Sequence, residues 1–357
     1  MASVVCLSIA LAASPTVEAR SEAKPMRAAE GSDLRDGDGE ATAARKRKRK
    51  PAIFFDGDLL ADRGPSIWRI KPNGKKLRLI HRVGRRAVVS QNGKKIYFLR
   101  PRPRGSVISA MRPDGSHREE LGGKAPRTAF SGFGTPQVLS QRGRLAYFND
   151  PNPSGDDDGE AIKLVNADGS GRRMLYQIPS NSILTALAIS PSGGRIAFAE
   201  LGEATSLRVI DSDRSGLRTI YTGASGEMIT GLAFSPNGEH LAASAFMQTA
   251  FGEITNPELL VMDADGTDLE TIAYPDPVEI GGAPVFSPRG ERLAFTGYFE
   301  IAQPDTEPPR PSSFGQIFTI GLDGQGLSQI TGPNRPSLCA FCAGIDRASS
   351  WGRIVGK

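Results

Sequence analysis

Residues Leu187 to Glu200 read LAISPSGGRIAFAE, and the string returns as LAFSPNGEHLAASA from Leu232 and as VFSPRGERLAFTG from Val285. In each copy Ser, Pro and Gly take the first, second and fourth places of a type I turn, where each is favoured and where Pro pre-sets its backbone angle. Short runs of Ile, Leu, Phe and Ala flank the turn. Runs of that length bounded by turn signals predict buried strands rather than helices, so each copy predicts a hairpin.

The same register recurs in two degenerate copies, AVVSQNGKKIYFL with Ser90 and PQVLSQRGRLAYF with Ser140, in which Gln replaces Pro. The anchor serines are 90, 140, 190, 235 and 287, at intervals of 50, 50, 45 and 52 residues. Such regularity marks a repeat array whose units bury their apolar faces against one another. Gly and Pro punctuate the chain too often for a helical repeat.

A second hairpin alternates with the first: LVNADGSGRRML from Leu164, LRVIDSDRSGLRTI from Leu207, LLVMDADGTDLETI from Leu259 and IFTIGLDGQGLSQI from Ile317. Its Asp accepts local backbone hydrogen bonds and its Gly tolerates positive φ. SIWRIKPNGKKLRLI from Ser66 and VISAMRPDGSHREEL from Val107 are earlier copies. With strands named A to D within a repeat, six C–D hairpins face five A–B hairpins. PAIFFDGD from Pro51 supplies a B strand with no A before it, and RASSWGRI from Arg347 an A strand with no B after it. The two ends are expected to complete one blade together, which leaves the ring no open edge.

The hairpin pattern S-P-x-G-x-x-[IL]-A-[FY] followed by the D-x-D-G turn resembles the repeat of the TolB-like β-propellers, over residues 51–357. The resemblance implies an all-β fold, a six-bladed β-propeller of four-stranded antiparallel blades closed by a blade shared between the N- and C-terminal strands. It covers the propeller only: TolB carries an additional N-terminal α/β domain ahead of its propeller, whereas here about thirty low-complexity residues precede the first strand. A role in the Tol envelope system is therefore not carried over. The Trp-Asp dipeptides of WD repeats are absent.

Val4 to Ala13 is a short apolar stretch followed by the A-x-A-like Val17-Glu18-Ala19, so residues 1–19 read as a signal peptide and residues 20–50 as a disordered basic linker. An extracytoplasmic location (periplasmic, cell-envelope or secreted) is the expectation. The run Arg45-Lys46-Arg47-Lys48-Arg49-Lys50 allows electrostatic contact with an anionic envelope. Residues 51–357 hold 34 Lys or Arg against 32 Asp or Glu, so the ring as a whole lacks the basic footprint that nucleic-acid binding demands. A monomer is expected.

Because antiparallel strands alternate direction, the A–B and C–D turns share one face and the B–C and D–A connections the other. The latter are long and irregular, and function on a rigid scaffold usually sits in such loops. Phe246, Phe251, Tyr298, Phe299 and Phe314 crowd them, either as partner anchors or as a cover for the ring's apolar channel. Asp156, Asp157 and Asp158 form an acidic run there that reads as solvated charge rather than as a calcium site, and no metal or cofactor is expected. Cys339 and Cys342 precede the closing strand and are expected to form a structural disulfide in an oxidising compartment.

Catalysis is the rival reading. The sequence has no G-x-S-x-G elbow, and its three histidines, His81, His117 and His240, fall far apart in the repeat, so no catalytic residue is assigned. The expectation is an exported binding or scaffolding module that recognises a protein, peptide or cell-envelope ligand through its long-connection face. The alternative is a carbohydrate-active enzyme, a glycosidase needing only two acids at a set separation or a lyase.

Overall fold

The computed structural model describes residues 49–58, 65–103, 105–126, 137–149, 161–249, 254–272, 279–302, 311–331 and 346–355. All regular elements among them are strands, arranged as six four-stranded antiparallel sheets. Blade 1 holds β1 (Arg49–Asp58), β2 (Pro65–Ile70) and β3 (Arg78–His81). Blade 2 holds β4 (Arg85–Val89), β5 (Ile96–Arg102), β6 (Gly105–Met111) and β7 (Glu119–Pro126). Blade 3 follows with β8 (Gln137–Leu139), β9 (Leu145–Asn149), β10 (Ala161–Val165) and β11 (Arg173–Gln177). Blade 4 is β12 (Ile183–Ile189), β13 (Arg195–Leu201), β14 (Thr205–Asp211) and β15 (Arg218–Thr222). Blade 5 is β16 (Glu227–Phe234), β17 (His240–Gln248), β18 (Ile254–Asp263) and β19 (Glu270–Ile272). Blade 6 is β20 (Glu279–Phe286), β21 (Arg292–Ala302), β22 (Pro311–Gly321) and β23 (Ser328–Gln329). The last strand, β24 (Asp346–Val355), returns to blade 1 and takes the place beside β1, in the order β24-β1-β2-β3. The fold is the six-bladed propeller with a shared blade that the repeats predict.

Closure is extensive. β1 and β24 run antiparallel from Arg49↔Val355 to Gly57↔Asp346. The strand begins at Arg49, so the last two residues of the basic run belong to the sheet.

The core explains why the strands read as nearly continuous apolar runs rather than as alternating ones. Both faces of a blade are covered, so both sets of side chains are buried. Along β1, Ala52 and Phe54 enter the cluster shared with blade 2, while Ile53 and Phe55 enter the cluster shared with blade 6. Among the described residues there are six such clusters, one at each seam between neighbouring blades. Trp351 of the closing strand packs at the seam of blades 6 and 1 but is only partly buried.

The repeated serine has a specific task. Its Oγ accepts the backbone N–H at the far end of its turn: Lys95 on Ser90 at 2.9 Å, Arg195 on Ser190 at 2.9 Å, His240 on Ser235 at 2.9 Å. These serines are buried, and the hydroxyl is also bonded within its turn, Ser90 donating to Asn92 Oδ1 at 3.0 Å and Ser235 to Asn237 Oδ1 at 2.6 Å, so the buried group is satisfied as donor and as acceptor. The fourth-place glycine then closes the turn onto the serine carbonyl, as Gly193 does at 2.8 Å.

The Asp-Gly turns also follow one scheme, with a feature the sequence reading does not contain. Asp168, Asp213 and Asp265 accept hydrogen bonds from the hydroxyls of Ser170, Ser215 and Thr267 at 2.7, 2.6 and 2.7 Å, and from the same residues' backbone N–H groups at 2.9, 2.9 and 3.0 Å. Each of these turns needs two left-handed residues, two positions apart. The first is Gly169 and Gly266 in two copies, but Arg214 at φ 78° in the third. The second is Gly171 and Gly216, but Asp268 at φ 51°.

Those hydrogen bonds hold the three carboxyls below the ordinary carboxylate range, the hydroxyl bond contributing most and the backbone bond next. A group whose native pKa is depressed contributes stability above its unfolded pKa and loses it as pH falls through the native value. The melting temperature is therefore expected to decline as pH falls below about 4. Replacing all three with Asn is expected to flatten that decline. An acid limb identical in the Asn variant would show that these turns are not its source.

Candidate functional site

The two faces of the ring differ as topology requires. One carries the short A–B and C–D turns, and the other carries every B–C and D–A connection. Phe251, Asp156, Asp157, Asp158, Cys339 and Cys342 all fall in connections of the second face and lie outside the described residues.

Of the five aromatics, Phe246 alone has a described side chain. It lies on β17 opposite Met228, two residues before the strand ends, and is 7% exposed, a position that covers the core. Tyr298 and Phe299 lie on β21 and Phe314 on β22, where the register sets Phe299 directly opposite Phe314. That hairpin outruns its neighbours. β21 and β22 pair as far as Ala302↔Pro311, whereas β20 reaches only Tyr298 and β23 only Phe318. Among the described residues the four pairs from Phe299↔Phe314 outward have no third strand on either side.

Polar groups gather at the same face where the inner strands begin. Arg86 is left-handed at φ 56°, and its backbone N–H donates to both carboxylate oxygens of the buried Asp56, at 3.0 and 2.8 Å. This contact joins the end of β1 to the start of β4 and accounts for a conformation that non-glycine residues rarely adopt. Beside it, Arg85 donates to Ser106 Oγ at 3.2 Å and to Gln137 Oε1 at 3.4 Å. Its Nε is buried without a partner among the described residues. Burial pushes its guanidinium pKa down, opposed by the charge of Asp56.

Two further groups sit at neighbouring seams. The Tyr176 hydroxyl donates to the buried Glu200 at 3.1 Å and accepts from Arg208 at 2.8 Å. The Tyr221 hydroxyl donates to both oxygens of Glu227, at 2.8 and 2.9 Å, and burial with that carboxylate raises its pKa. These clusters offer fixed donors and acceptors for carbonyl, hydroxyl or carboxylate groups. Sequence reasoning missed them, since the members of these clusters and of the Asp56–Arg85–Gln137 group come from five different blades; the one local signal was the polar pair Arg85-Arg86 before an apolar strand.

The central cavity has a volume of about 140 Å³, lined by inner-strand residues such as Val88, Val138, Leu232 and Val285. That is below the roughly 300 Å³ at which small-molecule sites begin, so a ligand of that size would sit at a mouth rather than within the channel.

The three histidines remain apart. His81 is half-buried edge-on against Phe98, ring centres 5.2 Å apart, its pKa lowered by burial and by Arg118 and Arg100. His117 is exposed in a C–D turn, and His240 pairs with Asp263 at 2.6 Å on the turn face. Among the described residues no three His, Cys, Asp or Glu side chains converge as a metal site would require, and no helix is long and apolar enough to cross a membrane.

Comparison with solved structures gives the class. The chain is similar to TolB from Acinetobacter baumannii, with 14% identity and a TM-score of 0.56 over 84% of this chain. It spans 66% of that protein's length, just under two thirds. It is also similar to a chain of the nidogen/laminin complex, with 12% identity and a TM-score of 0.51, covering 79% of this chain and 94% of that one. No protein-family model and no curated protein matches the sequence. The protein is a TolB-like β-propeller in fold.

Proposed function

We propose that this propeller is an exported binding or scaffolding module that recognises a protein, peptide or cell-envelope ligand through its long-connection face. The observation that carries the reading is the β21–β22 arm. Among the described residues its outer four pairs have no third strand on either side, so their backbone donors and acceptors line both edges, the form of site to which an extended segment adds as a further strand. Phe299 and Phe314 occupy the first of those pairs, and aromatic residues are enriched among binding hot spots. Arg85, Asp56 and Gln137 supply polar groups at the same face. The extracytoplasmic assignment rests on the apolar leader and its A-x-A-like end.

The test is capture from envelope extract by the purified ring, repeated with Phe251, Tyr298 and Phe299 changed to Ser. Partner capture is expected to fall by about tenfold or more, a loss of roughly 1.4 kcal/mol. Substituting the exposed Arg142 and Arg289 of the turn face is expected to leave it unchanged. If the turn-face variant loses capture and the aromatic variant keeps it, with both folded, the long-connection face is not the binding surface.

A further inference from the structure

A groove of about 520 Å³ lies on the turn face at the seam of blades 1 and 2, away from the surface just described. Its floor is apolar, formed by Pro51, Ala52, Ile70, Pro113, Ile354 and Val355. Its walls are cationic. Arg69 and Lys71 come from the end of β2, Lys76 from the turn that follows, and Arg78 from β3. Lys94 lies in the β4–β5 turn, Arg112 in the β6–β7 turn, and Lys50 near the start of β1. Asp114 is the one carboxylate in the lining, and among the described residues none of these cations has an ion-pair partner.

One contact in this groove opposes folding. Arg69 and Arg78 are direct cross-strand partners on β2 and β3, and like charges so placed are destabilising. Arg69 is half-buried and anchored by donation to the Pro113 carbonyl at 2.9 Å, so it cannot simply swing away. Burial lowers its pKa most, Arg78 lowers it further, and Asp114 offsets only part of this. Arg69 has that structural bond, but among the described residues Arg78 makes no side-chain hydrogen bond or ion pair that calls for an arginine, whereas an anion laid across the two would relieve the repulsion.

The charge of the whole chain points to the same place. Residues 51–126, essentially blades 1 and 2, hold 17 Lys or Arg and six Asp or Glu, while residues 127–357 hold 17 and 26. The near-neutral ring is thus two sectors of opposite sign. Arg45 to Lys48 add four cations immediately before the strand that lines the groove.

We propose that this groove binds a linear polyanion with closely spaced charges, a polyphosphate-like chain, laid along the blade 1–blade 2 seam. The cations are spread over five chain segments rather than converging on one point, which suits a chain and not a single phosphate. The site is concave, which disfavours a flat membrane surface. Its lining carries no aromatic side chain on which bases could stack, which disfavours single-stranded nucleic acid.

The experiment measures binding of the full chain to inorganic polyphosphate at about 50 and 200 mM salt. Affinity is expected to fall steeply with salt, as counterion release requires. Lys71→Glu with Lys76→Glu and Lys94→Glu, all partly or fully exposed, is expected to weaken binding by about tenfold or more at low salt without shifting the melting temperature. Arg78→Gln is expected to weaken binding while raising the melting temperature, an outcome that a purely structural arginine would not give. Arg142→Glu with Arg289→Glu serves as a charge-reversal control elsewhere on the same face and is expected to change affinity less than twofold. A triple variant within twofold of wild type, or a control that weakens as much, overturns the proposal. So does tighter binding of a charge-matched single-stranded oligonucleotide, or binding to phosphatidylglycerol vesicles with none to soluble polyphosphate. Serine at Arg45 to Lys48 is expected to leave most of the affinity in place, and complete loss in that variant would assign the binding to the basic run instead.

Discussion

Deleting Arg347–Lys357 is expected to lower the melting temperature of the ring by about 10 °C or more, from a loss on the order of 5 kcal/mol. Blade 1 would lose its innermost strand, and with it the ladder from Arg49↔Val355 to Asp56↔Arg347. Ile53 and Phe55, now fully buried, would lose Trp351 from their seam, and Phe54 would lose Ile354. The open side would expose the backbone edge of β1, which every other B strand keeps covered. Thermal unfolding followed by circular dichroism decides the matter. A truncated chain that melts with the intact one would mean that the shared blade adds nothing to the ring.

Gly93 and Gly290 occupy the same fourth place of the Ser-x-x-Gly hairpin, both left-handed, at φ 68° and 81°. Their surroundings differ. A Cβ on Gly290 would meet only Pro236 Cδ, at 3.9 Å, whereas one on Gly93 would fall 2.2 Å from the Arg353 carbonyl oxygen of the closing strand. Gly93→Ala is therefore expected to cost roughly 3 kcal/mol or more, by forcing the β4–β5 turn away from β24 and breaking the hydrogen bond from Val355 N to the Gly93 carbonyl, 3.1 Å. Gly290→Ala should cost about 1 kcal/mol, the left-handed penalty less a gain from the stiffer unfolded chain. Chemical denaturation of the two variants checks both values, and equal losses would show that backbone conformation alone governs this position.

The fold was legible because its determinants are local. A Ser-x-x-Gly or Asp-Gly turn announces itself within four residues, and counting A–B against C–D hairpins was enough to require β24 beside β1. The second left-handed place of the Asp-Gly turn was less visible: Gly171, Gly216 and Gly326 mark it, but Lys76, His117 and Asp268 occupy it in the other copies. The sites were scarcely legible. Arg85 meets Gln137 across two blades, and the basic groove draws on residues from Lys50 to Val355. Summing charge over the whole ring also cancelled the sectors that a blade-by-blade count separates. Phe251, Cys339 and Cys342 stand in connections whose geometry local turn chemistry does not dictate, so only their place in the repeat was legible.

The pairing of β1 with β24 also sets an order of events in time. Its partners stand about 300 residues apart in the chain, while each of the other five sheets is assembled from consecutive strands. On a ribosome or during translocation those five sheets can form as their residues emerge, but blade 1 stays a three-stranded fragment until the last strand arrives. Contacts so remote in sequence are slow to form, since the loop entropy must be overcome before any of them is gained. For that interval β1 displays an unpaired apolar edge, Ala-Ile-Phe-Phe, of the kind that recruits other chains. The maturing protein is thus most vulnerable to aggregation just before its synthesis ends, and a holdase acting on blade 1 would protect it at the moment of greatest need.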